Sequence, residues 1–109
     1  MALTVKYFDT SAANTAQTVS TITGAKLRIR YVTVAYSAAP TQTGVIIALN
    51  SGSGADYDTT LFTGAANVQD TFWQPDHDLP IEFDDQLDVT APAAGGAITS
   101  SVVIYCEVA

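Results

Sequence analysis

Lys26-Leu27-Arg28-Ile29-Arg30-Tyr31-Val32-Thr33-Val34-Ala35-Tyr36 decides the fold. Apolar and charged residues alternate with a period of two, which is the signature of a strand with one face buried. Leu27, Ile29 and Tyr31 share one face, and Lys26, Arg28 and Arg30 share the other. The apolar set then changes phase to Val32, Val34 and Tyr36. Such a slip inside one strand predicts a bulge, or a stretch buried on both faces. Residues 25–37 are therefore read as the longest strand of the chain.

The same rhythm recurs on both sides. Leu3, Val5 and Tyr7 alternate over residues 2–8. Residues 43–49 read as a short buried strand, stopped by Asn50-Ser51-Gly52-Ser53-Gly54. Strands are weaker over 56–63, where Tyr57 and Leu61 are the candidate inward residues, and over 69–74. Pro75-Asp76-His77-Asp78 is a turn. Leu79, Ile81 and Phe83 alternate with polar residues, and Pro80 marks an edge or a strand start. Leu87 and Val89 continue beyond Asp84-Asp85. In 97–108, Ile98, Val102, Ile104, Cys106 and Val108 face inward, with Val103 an exception among the outward residues. Residues 10–23 carry helical spacing in Ala12, Ala16 and Val19. Thr15, Thr18, Thr21 and Thr23 favour extended chain, so residues 1–24 are read as an extended arm or edge strand. About eight short strands in 109 residues predict one all-β domain over 1–109: an antiparallel β-sandwich, jelly-roll-like or immunoglobulin-like.

Composition bounds the function. Charged residues are 14% against a usual value of about 25%. With 15 Thr, 7 Ser and 17 Ala, much of the surface is small and neutral. The net charge is −7, and it is segregated. Residues 1–30 hold all four bases (Lys6, Lys26, Arg28, Arg30) against Asp9, while residues 31–109 hold ten acids and no Lys or Arg. An acidic chain is a poor partner for nucleic-acid phosphates and for anionic membranes. Segregated charge suits association with another copy or a different protein. No secretory signal or membrane-spanning run is visible, so a soluble cytosolic product is expected.

Chemistry-bearing motifs are sparse. Cys106 stands alone in an apolar strand and reads as a buried small hydrophobe. His77, between Asp76 and Asp78, has no nucleophile nearby and reads as part of a solvated turn. Gly52-Ser53-Gly54 lacks the Lys-Ser/Thr ending of a phosphate loop. Asp56-Tyr57-Asp58, Asp76-x-Asp78 and Asp84-Asp85-x-x-Asp88 do not fit a calcium loop and read as turns, unless all three meet at one end of the sandwich. No catalytic residue, metal site or cofactor is expected, and the chain does not read as an enzyme. Trp73, Tyr57, Phe72 and Tyr36 are residues that could stack on sugars or fill a core. The Lys26, Arg28, Arg30 stripe, with Tyr36, is the expected protein-contact surface; the alternative is a solvated face neutralised by acids on neighbouring strands.

Ile46-Ile47-Ala48-Leu49-Asn50-Ser51-Gly52, Trp73-Gln74-Pro75, Leu79-Pro80-Ile81-Glu82-Phe83-Asp84-Asp85-Gln86-Leu87-Asp88-Val89 and Val102-Val103-Ile104-Tyr105-Cys106-Glu107 carry a resemblance. In rhythm, the run from Val45 to Val108 resembles small β-sandwich structural proteins of tailed-phage virions, most of all capsid cement or decoration proteins. The resemblance implies a homo-oligomer, a trimer in many members, that binds the major capsid protein on the outside of a shell. It implies a virion location and carries over no site residues. Another head–tail, tail or fibre component has the same physics. A carbohydrate-binding module is the alternative of a different class, with Trp73 or Tyr57 exposed on a groove or flat patch.

Overall fold

The computed structural model describes residues 3–41 and 44–108. Ala2 of the expected first strand and Thr43 of the expected 43–49 strand lie outside the described residues. Nine strands form two antiparallel sheets: β1 Thr4–Thr10, β2 Gln17–Ser20, β3 Leu27–Tyr36, β4 Ile46–Asn50, β5 Thr59–Thr63, β6 Asp70–Trp73, β7 Leu79–Ile81, β8 Gln86–Ala91 and β9 Ser100–Val108. A single 3-10 turn, Ala55–Tyr57, is the helical element among the described residues.

One sheet runs β1-β9-β3-β6, with β7 also on β3, and the other runs β2-β8-β4-β5. Both β6 and β7 pair with β3, through Val32–Ala35 and Leu27–Ile29 respectively. They are two pieces of one interrupted edge strand. Counted as one, they leave eight strands in the double Greek-key order of a jelly roll. The expected all-β sandwich is therefore present. Residues 1–24 supply edge strands, β1 on one sheet and β2 on the other. The helical spacing of Ala12, Ala16 and Val19 does not decide that segment. Ala12 and Ala16 are exposed, so they give a helix no apolar face to bury, and Thr18 and Val19 pair with β8.

The inner faces close over Leu27, Ile29, Val32, Val34, Ile47, Ile81, Leu87, Val89, Val102, Ile104 and Cys106, all buried. Each such side chain contributes roughly 1.5–3 kcal/mol when removed from water. The buried hydroxyl of Thr21 is satisfied by the Leu87 amide, which donates to Thr21 Oγ1 at 3.0 Å. Val108 and Phe83 were expected inside or in phase with inward residues, yet they are 38% and 54% exposed. Each lies where its strand ends or has just ended, so no opposite layer covers it.

The phase slip in β3 is a bulge. Ile29 faces Cys106 and Tyr31 faces Tyr105, so Arg30 is the extra residue. Arg30 and Tyr31 both look outward, and the inward series resumes at Val32. Tyr31 therefore leaves the Leu27–Ile29 face on which alternation had placed it.

Candidate functional site

The outer face of the β1-β9-β3-β6 sheet carries the feature of interest. Register places Phe8 beside Val103, Val103 beside Thr33 and Thr33 beside Phe72. The next row is Lys6, Tyr105 and Tyr31. Phe72 and Tyr31 stack with ring centroids 5.5 Å apart, and Tyr31 and Tyr105 stack at 4.9 Å with planes 5° apart. Lys6 Nζ lies 5.5 Å from the Tyr105 centroid, within cation–π range. The rings thus form a ladder. Tyr31 spends both faces on its neighbours, and the ammonium group covers the far side of Tyr105. Phe72 is the open end, 63% exposed.

An open cleft of about 690 Å³ adjoins this ladder. Tyr31 and Tyr105 supply its aromatic part, with Ile29 beneath. Arg30 and Glu107 stand on the sheet, and Gln74, Pro75, Asp76, His77 and Asp78 form the opposite wall. That wall exists because the edge strand is broken. Pro75 has no N–H to offer a ladder, and residues 74–78 leave the sheet between β6 and β7. The bulge at Arg30 turns Tyr31 up into the gap. A smaller hollow of about 230 Å³ lies on the other side of the same loop, bounded by Leu61, Trp73 and Leu79.

The basic stripe is neutralised by its own sheet. Lys26 Nζ is 3.4 Å from Glu82, Arg28 Nε is 2.8 Å from Asp78, and Arg30 Nε is 3.2 Å from Glu107. Exposed pairs of this kind are worth about 0–1 kcal/mol each, and they leave the stripe without spare charge. Tyr36, grouped with it as a contact residue, is buried, and its hydroxyl donates to the Pro92 carbonyl at 3.1 Å. It offers no surface. Trp73 points inward beside Val32 and is half-buried against the core. Tyr57 is exposed, on the 3-10 turn between β4 and β5 of the other sheet.

Two of the three acidic clusters meet at the turn after β4, and the third does not join them. Asp58 and Asp85 accept the amides of Ser51 and Gly52 at 2.8 and 2.9 Å, which fixes the turn after β4. Asp88 accepts from Ser20 and Asn50. Asp76 and Asp78 stand apart in the cleft of the other sheet. Among the described residues no three of His, Cys, Asp and Glu come together as a metal site.

Alternation puts Tyr31 on the wrong face and does not show that 74–78 forms a wall. It puts Tyr105 outward, as found, but only the register brings Tyr105 beside Tyr31. The Arg30 slip was the available signal.

No family model matches the chain, and no curated protein matches it. Among solved structures it is similar to one described as a carbohydrate binding module of family 29. That match has 17% identity and a TM-score of 0.41, and covers 83% of this chain and 58% of that one. It is also similar to two mutants of the module CBM29-2, one complexed with cellulohexaose, each at 20% identity and a TM-score of 0.38. The chain spans 58% to 61% of the length of these three structures. All three are described as carbohydrate-binding modules. On that finding the expected capsid cement role is corrected. What this chain binds rests on the chemistry of its own cleft.

Proposed function

We propose that the chain is a carbohydrate-binding domain and that the cleft beside the Phe72–Tyr31–Tyr105 ladder is its ligand site. The observation that carries this reading is one juxtaposition: an aromatic surface bordered by exposed hydrogen-bonding side chains in an open groove. A sugar ring presents C–H groups on its faces and hydroxyls around its rim. The first want an apolar or aromatic surface, and the second want polar side chains at its edge. Gln74 offers both a donor and an acceptor, the carboxylate of Asp76 offers acceptors, and His77 offers ring nitrogens. Because the ladder occupies its own inner ring faces, stacking on a sugar falls to Phe72, which stacks on Tyr31 at the margin of the cleft. Tyr31 and Tyr105 supply the aromatic part of the cleft itself.

The test is affinity electrophoresis through gels containing soluble neutral polysaccharides, followed by titration calorimetry with the one that retards most. Retardation is expected. Phe72→Ala should weaken binding about tenfold, the loss of the exposed ring at the open end of the ladder. Tyr57→Ala, an equally exposed ring on the other sheet, should change nothing. Equal losses in both variants, or no retardation in any gel, would refute the assignment.

A further inference from the structure

We infer that the cleft selects by charge: it accepts uncharged polysaccharides and rejects polyuronates. The inference rests on the carbohydrate reading and sharpens it. Three of the four basic side chains of the protein are paired with carboxylates. Lys26, Arg28 and Arg30 are paired with Glu82, Asp78 and Glu107, and Lys6 sits over the Tyr105 ring. A uronic-acid carboxylate is ordinarily held by a free guanidinium or ammonium group. The cleft has none to spare: Lys6 keeps its charge over the Tyr105 ring but is not among the cleft's lining residues.

The wall adds repulsion. Asp76, Asp78 and Glu107 line the cleft against Arg30 and the His77 ring, and Arg28 reaches it only through its pair with Asp78. An anionic sugar would enter a groove with more carboxylates than cations and would have to break an ion pair to find a partner. A neutral sugar meets the same carboxylates as hydrogen-bond acceptors for its hydroxyls, with no charge to desolvate. One chemistry thus admits hydroxyl-rich uncharged chains and excludes acidic ones.

The protein as a whole is also acidic, so the experiment separates the cleft from the bulk. Binding to galactomannan, xyloglucan and mixed-linkage β-glucan is compared with binding to polygalacturonate and alginate. Ionic strength is held near 0.15 M, where exposed charges are screened beyond about 8 Å. The unmodified protein should bind at least one neutral polymer and neither polyuronate. Glu107→Gln removes a cleft carboxylate and leaves Arg30 unpaired. It should gain polygalacturonate binding by about tenfold, with its fold checked by circular dichroism. Asp56→Asn removes the same charge from the turn of the other sheet and should gain nothing. Polyuronate binding by the unmodified protein, or equal gains in both variants, overturns selection by the cleft and leaves the carbohydrate reading standing. Failure of every polymer, neutral or acidic, to bind removes both.

Discussion

Gly44 shows how closely the chain is fitted beside β4. A Cβ built there would lie 2.1 Å from the Gly64 carbonyl oxygen and 2.6 Å from that of Ala65, both backbone atoms that cannot swing away. Gly64 is the milder case: its nearest neighbours would be the Val45 amide nitrogen at 3.2 Å and a Phe62 ring carbon at 3.4 Å. The Gly64 amide also donates to the Val45 carbonyl at 2.7 Å, so a forced separation loses a hydrogen bond as well. Gly44→Ala should cost about 2–3 kcal/mol in urea unfolding, the range for overpacking with a backbone shift, and Gly64→Ala clearly less. Equal costs would mean that the backbones part more easily than their spacing implies. At this scale the sequence was least informative. Glycine at 44 reads as part of the expected 43–49 strand, and only the approach of a chain twenty residues away explains why no side chain fits. Tyr31 misled for a related reason. Its neighbours Leu27 and Ile29 truly face inward, and one extra residue between Ile29 and Tyr31 reverses the side of everything after it.

The elements were legible wherever one face is buried and the other is wet. β9 alternates cleanly, β3 does so on either side of its bulge, and Val103, which broke the pattern, does face outward, beside Phe8. The interruption between β6 and β7 was visible as a Pro-led turn. That both pieces pair with β3 was not, because pairing depends on partners distant in sequence. The bulge makes an unusual deletion tolerable. Removing Arg30 would place Ile29 opposite Cys106 and Tyr31 opposite Tyr105 in an unbroken ladder, with Ile29 inward, Tyr31 outward and Val32 inward. The inward set on each side keeps its phase. The variant lacking Arg30 should therefore retain its strand circular dichroism and a cooperative melt, losing only the exposed Glu107 pair and some local twist. Deleting Thr33 instead brings Val34 out of phase with Val32 and turns the rest of the strand over. That variant should lose its cooperative transition. If the Arg30 deletion unfolds the protein as well, the bulge is required for the twist of the sheet and is not simply an insertion.

For the molecule as a whole, the sandwich stores acid–base energy in groups buried between its two sheets. Burial pushes the Cys106 thiol up from 9.0 to about 11, because a thiolate there would sit between two apolar layers without water. Tyr36 is raised by the same desolvation. Tyr7 is raised chiefly by desolvation, opposed by a hydrogen bond to the Ile22 backbone. The sign follows from which state holds the proton. Below pH 9 the thiol is protonated in both folded and unfolded chains, and its contribution is fully present. Between about pH 9 and 11 the unfolded chain releases a proton that the folded one keeps, so unfolding gains ground with each step in pH. A difference of two units corresponds to at most about 3 kcal/mol from Cys106, with the tyrosines acting in the same direction. The midpoint of urea unfolding should stay level through neutral pH and fall steeply above pH 9. Cys106→Val, close in volume and without an ionisable group, should flatten the first part of that fall. In the native protein the thiol should react with a disulfide reagent only at the rate of global opening. Rapid labelling at neutral pH, or an alkaline fall unchanged in Cys106→Val, would mean that the two sheets do not seal the centre of the molecule as their packing requires.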